Sequence, residues 1–148
     1  MLTNYQKSNA VESIDFRVSK RAQKMTRRLL RANGTLLRQR LGDELLDELA
    51  DLAQIDIVKL KISDAKQYHK KSGGRTVFKQ YGYYRPQSKY IYITNRTAVR
   101  GQILAPKTFL NTLLHEWMHH YDSCKLGLDS IHTRGFYMRL SSLQDALH

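Results

Sequence analysis

The spacing of apolar residues changes twice along this chain, and those two changes restrict its fold more than any other feature. Val18, Ala22, Met25, Leu29 and Ala32 recur at intervals of three and four, which predicts an amphipathic helix over 16–32 with Asn33-Gly34 as its stop. Leu37, Leu41, Leu45, Leu49 and Leu52 predict a second helix within 35–54, weakened in its middle by Gly42. At Ile55 the pattern changes. IDIVKLKIS, TVFKQYGYY and KYIYIT are rich in β-branched and aromatic residues and are separated by Ser72-Gly73-Gly74 and Arg85-Pro86-Gln87-Ser88, which predicts a three-stranded antiparallel meander. After a looser stretch, Pro106 opens a third helix that Gly127 can close, and Phe136, Leu140, Leu143 and Leu147 mark a fourth with Thr133 as its N-cap. Helices, then strands, then helices predict the α+β class.

At 148 residues the chain fits one domain, with a basic helical part over 16–53, a sheet over 55–94 and two further helices over 106–147. No repeat, low-complexity run or linker argues for a second unit. No stretch has the roughly 20 apolar residues of a membrane span, and the N-terminus carries no secretory core, so a soluble intracellular protein is expected, cytoplasmic or nucleoid-associated, or nuclear in a eukaryote. A monomer is expected. The single cysteine, Cys124, excludes an internal disulfide and a thiolate-rich zinc ribbon, so any metal site must rest on histidines and carboxylates.

The third helix carries His115-Glu116-Trp117-Met118-His119. Two histidines four apart project from one helix face and can share a tetrahedral ion, while Glu116, about 100° round the helix, can address a water beside that ion. Glu116 is therefore cast as the general base and one catalytic Zn2+ as the cofactor. Two surface histidines and a solvated glutamate would explain the same letters. Against this, Leu113, Leu114, Trp117, Met118 and Tyr121 make the helix apolar around much of its circumference, where unpartnered His and Glu would be costly.

A catalytic zinc takes three protein donors and keeps one position open. His132, thirteen residues after His119 and beyond the Gly127 stop, is the leading third donor. His120, Asp122 and Asp129 are its competitors. His120 points away from His119 and should be solvated or bonded locally, and Asp122 suits a partner that orients an imidazole.

HEWMHHYD followed by HTRGF resembles the SprT-like (Spartan-type) zinc metallopeptidase family, over roughly Ile55 to Leu143. The resemblance implies a zincin-like domain, zinc on His115, His119 and His132, Glu116 as base, and proteolysis of proteins associated with or crosslinked to DNA. Many members of that family add a zinc ribbon, for which this chain has no cysteine pair, so contact with DNA would fall to the domain itself.

For the oxyanion of peptide hydrolysis, Tyr137, Arg134 or a tyrosine of the sheet are candidates. KYIYIT could pair with an extended protein substrate.

A net charge of +12 predicts attraction to polyanions, and between Asp15 and Asp43 every charged residue is basic. Arg17, Lys20, Arg21, Lys24, Arg27, Arg28 and Arg31 flank the apolar stripe of the first predicted helix, with Arg38 and Arg40 beyond it, a pattern suited to a phosphate backbone or simply to a solvated face. Two other classes compete with a DNA-linked protease: a nucleic-acid-binding module with structural zinc, and a regulatory protease with one dedicated protein substrate.

Overall fold

The computed structural model describes the backbone of residues 1–66, 68–72, 75–97 and 100–148, and the side chains of these except 66–80. In chain order the elements are α1 (Asn4–Ala10), α2 (Lys20–Leu29), α3 (Thr35–Ala53), β1 (Lys59–Lys66), β2 (Tyr68–Ser72), β3 (Arg75–Gln80), β4 (Gly82–Arg85), β5 (Tyr90–Arg96), α4 (Pro106–Cys124) and α5 (Arg134–Leu147). The α+β class holds.

The helices form where apolar spacing and caps coincide. Ser19 caps α2 by accepting the amide of Ala22, and Thr133 caps α5 by accepting that of Phe136. Ala22, Met25 and Leu29 of α2, Leu41, Leu45 and Leu49 of α3, and Phe136, Leu140, Leu143 and Leu147 of α5 enter one buried cluster with Ile62, Ile91, Ile93 and the apolar face of α4. Gly127 adopts a left-handed φ of 63° just beyond the end of α4, as a helix stop requires. Gly34 does not play that role: with φ −74° it is the N-cap of α3, and α2 has already ended at Leu29. Gly42 has a packing reason, since a Cβ there would lie 2.8 Å from Leu60 Cδ2 of β1.

The expected antiparallel meander is corrected in two ways. β1 pairs with β5 in parallel while β4 pairs with β5 antiparallel, so the three-stranded sheet is mixed, with order β1-β5-β4. TVFKQYGYY divides at Tyr81: β3 pairs with β2 in a separate antiparallel hairpin, and only β4 joins the sheet. Apolar alternation reports which face of a strand is buried, not which strand lies beside it, so the pattern alone could not distinguish these arrangements. The Ser72-Gly73-Gly74 turn falls partly outside the described residues.

Helix α1 is an element that apolar spacing missed. Its signal is a capping box, in which Thr3 Oγ1 accepts the Gln6 amide and Gln6 Oε1 accepts that of Thr3. The helix docks on the start of α5 at very short range, because Gly135 leaves room: a Cβ there would lie 2.1 Å from Ser8 O and 2.8 Å from Asn9 Cα. Gly135→Ala is therefore expected to destabilise the domain by about 1–3 kcal/mol or to release α1. Urea unfolding, with hydrogen exchange at the amides of α1, reads both outcomes.

Candidate metal centre

Helix α4 runs between the sheet and α5, and its two faces do different things. Trp117 and Tyr121 are fully buried, with Phe16 packed on both at centroid distances of 6.1 and 5.9 Å. His115, Glu116 and His119 lie on the opposite face and line a cleft of about 860 Å³, whose other walls are β4 and the loop Leu128–His132. That loop returns His132 to the helix. His132 Nε2 lies 3.0 Å from His115 Nε2 and 3.0 Å from His119 Nε2, and the three donor atoms all fall within 4.8 Å of one another. The three histidines singled out in the sequence are thus brought together.

Phe136 forms the floor under all three rings. It stacks on His119 at 4.6 Å and 25°, and meets His115 and His132 at centroid distances of 5.0 and 5.3 Å. Packing of this kind holds the imidazole planes before any ligand arrives.

The tautomer of His119 follows from its neighbours. Ser130 Oγ donates to Asp122 Oδ2 at 2.8 Å, so toward His119 Nδ1, also at 2.8 Å, it can only accept. Nδ1 then carries the proton and Nε2 presents a lone pair to the other histidines. One proton shared among three converging nitrogens cannot satisfy both 3.0 Å contacts well, whereas one cation can satisfy all three. Tetrahedral donors about 2.0–2.1 Å from an ion stand roughly 3.4 Å apart, and the two contacts to His132, at 3.0 Å, lie near that value. Burial, reinforced by the neighbouring imidazoles, lowers His115 to about 4 and His119 to about 3, which keeps both neutral and able to coordinate at physiological pH. The three histidines could therefore hold a metal ion.

Glu116 stands apart from the donor set. It is 8% exposed, and burial pushes its carboxyl up to about 7. A carboxyl held near neutrality in an open cleft is suited to moving a proton.

The remaining candidates separate clearly. Asp122 does not join the donors; it reaches His119 through Ser130 and is itself gripped by Arg139, whose Nε and Nη2 donate to its two oxygens at 2.9 and 2.8 Å. Arg139 also donates through Nη1 to the Ser8 and Val11 carbonyls, tying α1 into the support of the site. Ser130 and Arg139 were not singled out from sequence. Arg139 did leave a sign, because it follows Phe136 by three residues and so falls on the apolar face of α5.

His120 is not solvated, and its local contact, Cys124 Sγ at 3.6 Å from Nδ1, is secondary to two long-range bonds. It is fully buried, donating from Nε2 to the Asp56 carbonyl at 2.7 Å and accepting the Tyr84 hydroxyl at Nδ1 at 2.8 Å. Asp129 is exposed on the cleft wall, its amide bonded to Asn4. Tyr137 is exposed, its ring 5.8 Å from that of His132, whereas Arg134 turns toward Glu12 at 3.8 Å.

KYIYIT is unavailable to a substrate, because β5 is the central strand with β1 on one side and β4 on the other. Of the two edge strands among the described residues, β1 and β4, it is β4 that borders the cleft.

Of the basic run, Arg17, Lys20, Arg21, Lys24, Arg27, Arg28, Arg31 and Arg40 are exposed, but Arg38 is fully buried. Its guanidinium bonds to the Ala32 carbonyl and Asn95 Oδ1 and lies 4.7 Å over the Phe109 ring, so it is part of the core.

Comparison with known proteins identifies no relative: no family model, curated protein or solved structure matches the chain.

Proposed function

We propose that this chain is a zinc-dependent metallopeptidase. The observation that carries the reading is the convergence of His115, His119 and His132 beside a buried Glu116 in an open cleft. A zinc that served structure alone would call for a fourth protein donor, and among the described residues no cysteine or carboxylate joins the three histidines. An open coordination position is what catalysis needs. The resemblance of HEWMHHYD and HTRGF then narrows the class to an SprT-like peptidase with a zincin-like domain, acting on proteins associated with DNA.

When bound, a zinc ion supplies Lewis acidity toward a carbonyl oxygen and acidifies water. The chain's own residues do the rest. Glu116 accepts a proton from water at its carboxylate and returns it to the departing amine. Ser130 and Asp122 hold the His119 ring in its coordinating tautomer. The edge of β4 beside the cleft offers backbone groups to an extended substrate segment, and Tyr137, whose ring lies 5.8 Å from that of His132, serves the oxyanion in this reading.

The exposed cations of α2 support a DNA partner. Phe16, just before that helix, packs on the face of α4 opposite the histidines, so DNA held on α2 would tether the enzyme from behind while the cleft stays free for protein.

Zinc-loaded Glu116→Gln is expected to keep its metal and to lose turnover of a DNA-binding protein by about 10²- to 10⁴-fold. Undiminished cleavage by this variant would exclude Glu116 as the base. Replacing Arg21, Lys24 and Arg28 with Gln is expected to leave cleavage of a free unfolded protein unchanged and to remove any acceleration by duplex DNA.

A further inference from the structure

The described helices cover one face of the β1-β5-β4 sheet. Ile62, Ile91 and Ile93 point into the core, so the alternate residues of these strands lie on the other face. Across the β1–β5 ladder Lys59 stands beside Tyr90 and Lys61 beside Tyr92; across β4–β5 Arg85 stands beside Tyr90 and Tyr83 beside Tyr92. Six neighbouring positions therefore present three aromatic rings and three cations.

The rings form one group. Tyr83 and Tyr92 are stacked at 5.2 Å and 17°, Tyr90 lies 6.4 Å from Tyr83, and the Arg85 guanidinium is 4.9 Å over the Tyr83 ring. The tyrosines are half-buried and the three cations exposed. The nearby carboxylates are engaged elsewhere, Asp64 with Thr35 and Arg96, and Asp56 with Lys89. None of the ion pairs among the described residues involves Lys59, Lys61 or Arg85.

Cross-strand tyrosines alone would be ordinary sheet packing. Three uncompensated like charges set among them cost the folded state something, and a polyanion with aromatic faces relieves that cost. A duplex meets only half of this description, because its bases are already stacked on one another; a single strand can offer both phosphates and free base faces.

We propose that this outer sheet face binds single-stranded DNA, with bases stacking on Tyr83, Tyr90 and Tyr92 and phosphates held by Lys59, Lys61 and Arg85. Tyr83 also lines the cleft that contains His115 and Glu116, so a strand on the platform ends at the cleft rim. This site is separate from α2 and requires neither metal nor peptidase activity.

The test is fluorescence anisotropy of a labelled oligothymidylate of about 15 nucleotides with the full chain in EDTA, beside a duplex of equal length. Tyr83→Ala and Tyr92→Ala are each expected to weaken single-strand binding by roughly 5- to 100-fold, while Tyr92→Phe retains it. Combined replacement of Lys59, Lys61 and Arg85 with Gln, at exposed positions that folding tolerates, should lower the salt dependence of log affinity by about 2. Duplex binding should be unchanged throughout. Wild-type single-strand affinity in both the Tyr92→Ala and the triple Gln variant would overturn the proposal, as would its loss on substituting α2 alone. A tenfold preference for oligouridylate would overturn the assignment to DNA.

Discussion

His132→Ala is expected to weaken zinc binding by on the order of 10²- to 10³-fold and to abolish peptidase activity at micromolar zinc. Four-donor zinc sites bind with about 10–16 kcal/mol, or about 2.5–4 kcal/mol per donor, which sets that range. The geometry explains why neither neighbour can substitute. His120 spends both ring nitrogens on Tyr84 and Asp56, and the carboxylate of Asp122 is held by Arg139 and Ser130. His132 is exposed and lies at the end of a loop, so its loss should cost little stability. Competition with a chromophoric chelator measures the affinity, and thermal melting of the metal-free protein checks the fold. Wild-type affinity in the variant would reject His132 as a donor.

Arg139→Met is expected to destabilise the domain by about 3–5 kcal/mol, a large part of the total for a chain of this size. Arg139 and Asp122 are both 0% exposed, so removing the cation leaves an unpaired carboxylate in the core. The same substitution frees the Ser8 and Val11 carbonyls and loosens α1. It also unsettles Ser130, and through it His119. Ser130→Ala separates the two effects: metal affinity should fall by about 10- to 100-fold with little change in urea unfolding. Full recovery of stability in Arg139→Met with Asp122→Asn would show that the unpaired charge, not lost packing, carries the cost.

The histidine centre was legible because its information is local. A spacing of four places His115 and His119 together on any helix, and a following Gly127 stop with the Thr133 cap limits where His132 can go. The arginines show the opposite case. Arg38 and Arg139 count as surface charge in a composition, and only the position of each within an apolar stripe hints that it is buried. What they bond to, Asn95 and Asp122, depends on packing between segments far apart in the chain.

Periodicity by itself determined the α+β class, the apolar faces of α2, α3 and α5, and the helix that carries His115, Glu116 and His119. Tertiary structure alone decided that β5 is central and β4 the edge strand beside the cleft, that α1 locks onto Gly135, and that lysines of β1 meet tyrosines of β4 and β5 on one face. The physical reason is common to all three. Side-chain alternation specifies what a segment buries, while neighbours in a sheet are chosen by backbone hydrogen bonds, which every residue but proline offers alike.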